Sequence, residues 1–304
     1  MDNVCHTLVG AAFGEAGLKT RTRFGNPVLM IAANLPDVDV LSRAAETSVA
    51  IRRGITHGVI AQALLPILLT GVVLLLDLWR PPRHGRDRAR AAPLLLLSYV
   101  GVLSHVALDW LNNYGIRLLM PFSGRWFYGD SVFIIDPWLW LALGVGVWLA
   151  RRRAWPSAAT VSLVVATVYI AGMVMSAQRA REHVVRSWSR EHGRAPEALM
   201  VAPVFGNPFR RTVILDAGAH YRTGTLTWWP MRVTYDAAAV PKNADAPAAV
   251  RARADPRVRA VLVWARFPFY RMMPVEGGTR VTVADMRFAG RVGDLSIVVP
   301  ETRD

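Results

Sequence analysis

Several histidines and aspartates of this 304-residue chain stand where a strongly apolar sequence would not ordinarily hold them. His105 and Asp109 lie four apart inside an apolar run, so on a helix both leave one face, a turn apart. An imidazole and a carboxylate placed that way can share a divalent ion such as zinc, manganese or iron. His57 opens another apolar run, in Ile55-Thr56-His57-Gly58. Asp37 and Asp39 follow Pro36, where one carboxylate can bind a metal while its neighbour orients a histidine. His6 lies in the first apolar stretch, and Asp136 opens a later one as Asp136-Pro137-Trp138. The expected ligands are therefore His6, Asp37, His57, His105, Asp109 and Asp136. A divalent ion so held polarises a phosphoryl or carbonyl oxygen and lowers the pKa of water toward ~7. Asp39 or Asp130 is the expected catalytic base. Arg117 and Arg125 are expected to clamp an anionic group of the substrate.

Each residue also has a plainer reading. Asp37 or Asp39 can cap a helix after Pro36. Asp136 can cap the helix it precedes, with Pro137 at the first helical position. A single histidine at a helix end is commonly interfacial or hydrogen-bonded. The plainer readings weaken together, because ionisable residues in apolar spans are costly and these come from five segments.

The elements that would position them follow from composition. Hydrophobic residues make up 53% of the chain and charged ones 19%, a pairing unusual for a soluble domain. Four runs have spanning length: Ile55–Trp79, Pro93–Leu111, Phe133–Ala150 and Ala158–Met175. The shorter stretches Val4–Leu18 and Pro27–Leu35, joined by Lys19-Thr-Arg21-Thr-Arg23, read as a helical hairpin with a basic turn. Gly10-x-x-x-Gly14 would allow its first helix to pack closely on a neighbour. The net charge of +14 is mostly arginine in short loops. Such loops mark the cytoplasmic side and require no nucleic acid, so no nucleic-acid partner is expected. With Arg80–Arg90 and Arg151–Arg153 inside, every expected ligand falls at the opposite, outer face. Asp77 lies at the inner end of its run and is expected to meet the arginines there, and His84 to be solvated in the inner loop. A single cysteine, Cys5, excludes an intramolecular disulfide framework, and no ordinary cleavable signal peptide is expected, since Met1-Asp2-Asn3 lacks a basic region.

Beyond Met175 the composition changes. Ser176–Gly193 reads as a basic, exposed helix leaving the membrane. Thr212–Leu215 and Thr223–Trp229 read as strands. Ala248–Arg266 has a helical pattern that Pro256 breaks or restarts, and Asn243–Ala249 reads as a loop. Phe267–Val275 and Thr279–Phe288 form a hairpin about Gly277-Gly278. The expected fold is mainly α, with a polytopic helical membrane domain at residues 1–178 and a small α+β extramembrane domain at 179–304, placed on the outer side of the membrane.

The order of motifs resembles the YdjM-like family of bacterial inner-membrane proteins, regarded as metal-dependent hydrolases. The resemblance rests on Asp2-x-x-x-His6-x-x-x-Gly10, Pro36-Asp37-x-Asp39, Arg53-Gly54-x-Thr56-His57, Ser104-His105-x-x-x-Asp109, and Trp126-x-Tyr128-Gly129-Asp130 with Asp136-Pro137. It covers about the first half of the chain. That family's pattern is in turn similar to zinc-dependent phospholipase C, which implies His6, Asp37, His57, His105 and Asp109 as ligands. The further downstream His/Glu set of those enzymes is missing here, which implies one or two ions rather than three.

The leading expectation is a membrane-embedded hydrolase of a phosphoester or ester in a lipid or other amphiphile, with membrane lipids as partners. A transporter or proton relay is the second reading, and a membrane protein merely stapled by its metal the third. No His-Glu-x-x-His, Gly-x-Ser-x-Gly or Walker A motif is present, which lowers those enzyme classes.

Overall fold

A computed structural model describes residues 1–44, 48–80, 87–155, 157–289 and 294–301. In chain order the helices are α1 (Asn3–Glu15), α2 (Gly25–Ala32), α3 (Ser48–Ile51), α4 (Val59–Trp79), α5 (Ala91–Trp110), α6 (Pro137–Arg152), α7 (Ser157–His192), α8 (Pro247–Ala252) and α9 (Pro256–Trp264). The strands are β1 (Ala198–Val204), β2 (Asn207–Asp216), β3 (His220–Trp228), β4 (Met231–Tyr235), β5 (Val240–Pro241), β6 (Pro268–Val275), β7 (Gly278–Asp285) and β8 (Leu295–Pro300). They fall into two compact units. One comprises Met1–Asp39, Arg53–Gln178 and Ala202–Pro208, and the other Val40–Arg52, Arg179–Val201 and Phe209–Asp304.

The first unit is helical. Three helices are long and apolar enough to cross a membrane: α4, α5 and α7. Their outward residues, among them Leu68, Leu75 and Leu78 on α4 and Val161, Val164 and Val168 on α7, are exposed, as lipid-facing side chains would be. The expected third span is shorter than the others. α6 has 16 residues, about 24 Å at 1.5 Å per residue, against a hydrocarbon thickness of ~30 Å. Two cores hold the unit together. Val28, Leu29 and Ala32 of α2 pack with Leu69 and Val73 of α4 and Leu94, Leu97 and Val102 of α5. Cys5, Val9 and Ala12 of α1 pack with Leu139 and Leu143 of α6 and Ala166 and Met173 of α7.

Helix starts follow local chemistry. Asp2 caps α1 by accepting from the backbone N–H groups of Val4 (3.0 Å) and Cys5 (3.1 Å). The expected hairpin is α1 and α2, brought together by a glycine. A Cβ on Gly10 would stand 2.7 Å from the carbonyl oxygen of Leu29. Asn34 Nδ2 then donates to Thr7 Oγ1 at 3.0 Å, fastening the end of the second helix to the first.

The second unit is α+β. Its larger sheet runs β1-β2-β3-β4, with β5 added on β3, and its smaller sheet runs β6-β7-β8. The last turns of α7 cover the larger sheet. Ala180, Val184 and Trp188 are buried with Val213, Leu215 and Leu226. This corrects the expectation that Ser176–Gly193 is exposed throughout. α8 and α9 pack on the smaller sheet through Ala249, Ala252, Val258 and Val261. Pro256 starts α9 rather than breaking a helix, with Asp255 accepting from Arg257 N at 2.7 Å as the cap. The expected loop Asn243–Ala249 is in part helical, since α8 begins at Pro247. His84, Arg83 and Arg86 lie outside the described residues.

Candidate metal centre

Three segments of the helical unit converge beside the C-terminal end of α5. A 3-10 segment, Leu35–Ala44, follows α2 and carries Asp37 and Asp39. A second, Ile55–His57, ends in His57 just before α4. α5 supplies His105 and Asp109, a turn apart.

One ligand atom from each of Asp37, His57, His105 and Asp109 lies within 4.8 Å of every other. His57 Nε2 and His105 Nε2 face each other at 3.1 Å. Asp109 Oδ2 stands 3.3 Å from the first and 3.4 Å from the second. Asp37 Oδ1 stands 3.7 Å from both. Ligands bound tetrahedrally at ~2.0–2.1 Å lie roughly 3.4 Å apart, close to these separations.

The surrounding hydrogen bonds fix the imidazoles. His105 Nδ1 lies 2.8 Å from the carbonyl oxygen of Ala33. A carbonyl only accepts, so Nδ1 bears the proton and Nε2 presents a lone pair. His57 Nδ1 lies 3.1 Å from Thr56 Oγ1, which lies 3.2 Å from Asp39 Oδ2. Thr56 gives its only proton to Asp39, so its oxygen receives that of His57. His57 Nε2 therefore also presents a lone pair. Two lone pairs and the carboxylate oxygens of Asp37 and Asp109 point at one small volume. A buried polar atom without a partner costs ~1–3 kcal/mol, and Asp109 Oδ2 has no hydrogen-bond partner among the described residues. One divalent cation would satisfy all four donor atoms, so the residues present fit a metal.

The shell behind the four is built from backbone and neighbours. Arg53, buried and in a left-handed conformation (φ 50°), donates its backbone N–H to Asp39 Oδ2 at 2.6 Å. Its guanidinium reaches Asp109 Oδ1 at 3.2 Å and Asn112 Oδ1 at 3.3 Å. The Met1 amino group also donates to Asp109 Oδ1. Ala33 can reach His105 because Gly101 lets α5 approach α2. A Cβ there would lie 2.5 Å from Ala32 Cβ and 2.9 Å from Ala33 N.

The other expected site residues are placed differently. His6 is buried and stacked on His105, with ring centroids 3.9 Å apart. Its Nε2 is 3.3 Å from Asp109 Oδ1, and neither ring nitrogen has a hydrogen-bond partner among the described residues. It adjoins the four without being one of them. Asp136 is used as a cap. Its Oδ1 accepts from Trp138 N (3.0 Å) and Leu139 N (3.2 Å), and its Oδ2 from Tyr169 Oη (2.9 Å). Both oxygens are thus engaged in hydrogen bonds, and Asp136 is not one of the four. Asp39 acts behind His57 through Thr56. Asp130 is buried in a left-handed turn (φ 50°), in a segment tied to the end of α5 by Gly129 N donating to Trp110 O at 2.7 Å. Arg117 is buried with its guanidinium 5.2 Å from the Trp126 ring centre, and burial pushes its pKa down. Arg125 is exposed, 5.3 Å over the Phe127 ring. The sequence assigned no role to Thr56, Arg53 or the Ala33 carbonyl, although Arg53 and Thr56 both stand in the Arg53-Gly54-x-Thr56-His57 motif.

Apolar helices of spanning length and a buried His/Asp cluster define a membrane protein with a candidate metal site. The chain belongs to the YdjM inner membrane protein family, whose model matches residues 1–180. A curated relative, described as an uncharacterized protein, YfhP of Bacillus subtilis (strain 168), is 22% identical over 194 residues. The match covers 60% of this chain and 57% of that protein. No solved structure matches.

Proposed function

We propose that the helical unit is a metal-dependent hydrolase of the bacterial inner membrane, crossing it more than once. Its substrate is a phosphoester or ester of a lipid or other amphiphile at the outer face, and the C-terminal unit is periplasmic. The observation that carries the metal is the facing pair of imidazole lone pairs at His57 and His105, 3.1 Å apart, with Asp37 and Asp109 beside them. When bound, a divalent ion, zinc above all, supplies Lewis acidity to a phosphoryl or carbonyl oxygen and acidifies water. The chain's own residues do the rest. Ala33 and the Thr56–Asp39 pair hold the two imidazoles in their binding tautomers. Arg53 places Asp109. Asp37, the most exposed of the four at 15% of its side chain, marks the side from which substrate enters. Arg125 meets an anionic head group from solvent, and Asp130 is the remaining carboxylate for proton transfer.

A second reading is favoured by burial. His57, His105 and Asp109 are fully buried, as in a closed structural site that staples helices. A transporter fits less well, because α4 and α5 carry no charged side chain between this cluster and Asp77. The deciding experiment uses protein purified in detergent and loaded with cobalt as an optical reporter. A hydrolase shows a visible spectrum that changes with phosphate or a phosphodiester, and it cleaves a chromogenic phosphodiester or ester. A spectrum indifferent to both, with no turnover, leaves the staple.

A further inference from the structure

At the other end of α4 and α5 the helical unit holds a second polar feature. Residues 19–27, the connection from α1 and the first turn of α2, together with Arg80, Asp87, Arg88 and Arg90, flanking the α4–α5 connection, enclose a cavity of about 780 Å³. Its walls carry Lys19, Arg21, Arg23, Arg80, Arg88 and Arg90 against a single carboxylate, Asp87.

The frame of this cavity is hydrogen-bonded. Arg90 N donates to Thr22 Oγ1 at 2.9 Å. Arg23 Nη1 donates to Asp77 Oδ1 at 2.6 Å and to the Arg80 carbonyl at 3.0 Å. Asp77, buried, also accepts from Ala89 N at 3.0 Å. The Arg90 guanidinium donates to the Arg21 carbonyl. Asp77 thus answers Arg23, and Glu15 answers Lys19. Arg21, Arg80, Arg88 and Arg90 are exposed, and none has a carboxylate partner among the described residues. Guanidinia gathered within a Debye length of ~10 Å repel one another, and a multiply charged anion relieves that repulsion. Orientation bias explains why basic residues sit in such loops. It does not call for two separate loops to be fastened around one concavity.

We propose that this cavity binds the phosphate of an anionic lipid head group. Guanidinium forks match phosphate oxygens bidentately, and basic pockets at the ends of spanning helices take such head groups. Phosphate in solution has the same chemistry, but the surroundings favour lipid. Leu75, Leu76, Leu78 and Trp79, on the last turns of α4 beside the cavity, are all exposed, and they offer acyl chains an apolar surface. The site lies one span from the metal cluster, since α4 has 21 residues, about 31 Å at 1.5 Å per residue. It does not depend on metal binding.

The test uses the full chain in detergent, with native mass spectrometry to count bound lipid and thermal melting to report stabilisation. Phosphatidylglycerol is compared with phosphatidylcholine and with inorganic phosphate. The variants are Arg21→Gln with Arg80→Gln, and Arg152→Gln as a charge control. Phosphatidylglycerol is expected to bind and raise Tm where phosphatidylcholine does not. The double variant should weaken that binding about twenty-fivefold, at roughly a factor of five per arginine, and the control should not. Equal binding of phosphatidylcholine, or equal loss in the control, overturns the site. Equivalent stabilisation by inorganic phosphate overturns the lipid assignment. The side chains of Arg21 and Arg80 support none of the framing bonds, to which these two residues contribute only their backbone carbonyls, so the variant should retain its fold.

Discussion

Asp39 acts on His57 through Thr56: the hydroxyl of Thr56 lies 3.2 Å from the carboxylate and 3.1 Å from the imidazole Nδ1. A metal ligand whose far nitrogen is so held is fixed in tautomer and orientation. Thr56→Val and Asp39→Asn should therefore each lower metal affinity by 10–100-fold, in roughly the range seen for outer-shell partners. Isothermal titration of zinc into the stripped protein measures it. Unchanged affinity in both variants would remove Asp39 and Thr56 from the site.

Removing a ligand should do more than removing its support. His105→Ala and His57→Ala should purify with little metal, and Asp109→Asn should follow them, as read by elemental analysis. An Asp109→Asn protein carrying a full complement of metal would contradict the four-residue assignment.

Metal removal should also destabilise the fold. The donor atoms face one another, so the stripped protein keeps their repulsion and their lost hydrogen bonds. Zinc at a hundredfold over its Kd should restore ~2.7 kcal/mol, visible as a Tm that rises with zinc concentration. Ligands must be deprotonated, so this gain should shrink as pH falls and the histidines take protons. A Tm indifferent to chelator and zinc would count against the centre.

Asp136 should behave as a cap. Asp136→Ala is expected to cost ~0.5–2 kcal/mol, while leaving metal content at the wild-type level. Asp136→Asn keeps an accepting oxygen and should recover most of the stability. Loss of metal in the alanine variant would return Asp136 to the ligand set.

Gly101 should tolerate no bulk. Gly101→Val drives a side chain into Ala32 and Ala33, and overpacking of this kind costs ~1–3 kcal/mol. Since the same contact seats the Ala33 carbonyl against His105, metal affinity should fall with Tm. A variant that melts early but binds zinc normally would separate packing from the site.

How far the sequence disclosed all this depends on the kind of interaction. α4, α5 and the start of α7 were legible from apolar length, which counts residues and needs no partner. His105 and Asp109 were legible because both lie on one helix with a known period. Asp136 was ambiguous for a physical reason: a carboxylate before Pro137 serves equally as cap or ligand until its neighbours are known. The burial of Ala180, Val184 and Trp188 was available in their four-residue spacing but was masked by the arginines between them. Val40–Arg52 joins the second unit, although it lies in the N-terminal half. No local pattern announces a contact so distant in sequence.

The hydrogen bond from His105 to Ala33 has one more consequence. Its acceptor is main chain, so changing the side chain at residue 33 need not abolish it. Only displacement of the helix end can. Selection on that contact would act on the small residues that let the helices touch, Gly101, Ala32 and the buried Ala33, through their size rather than through any donor or acceptor they carry. Constraint on a metal site would then register in substitution patterns as constraint on a packing seam.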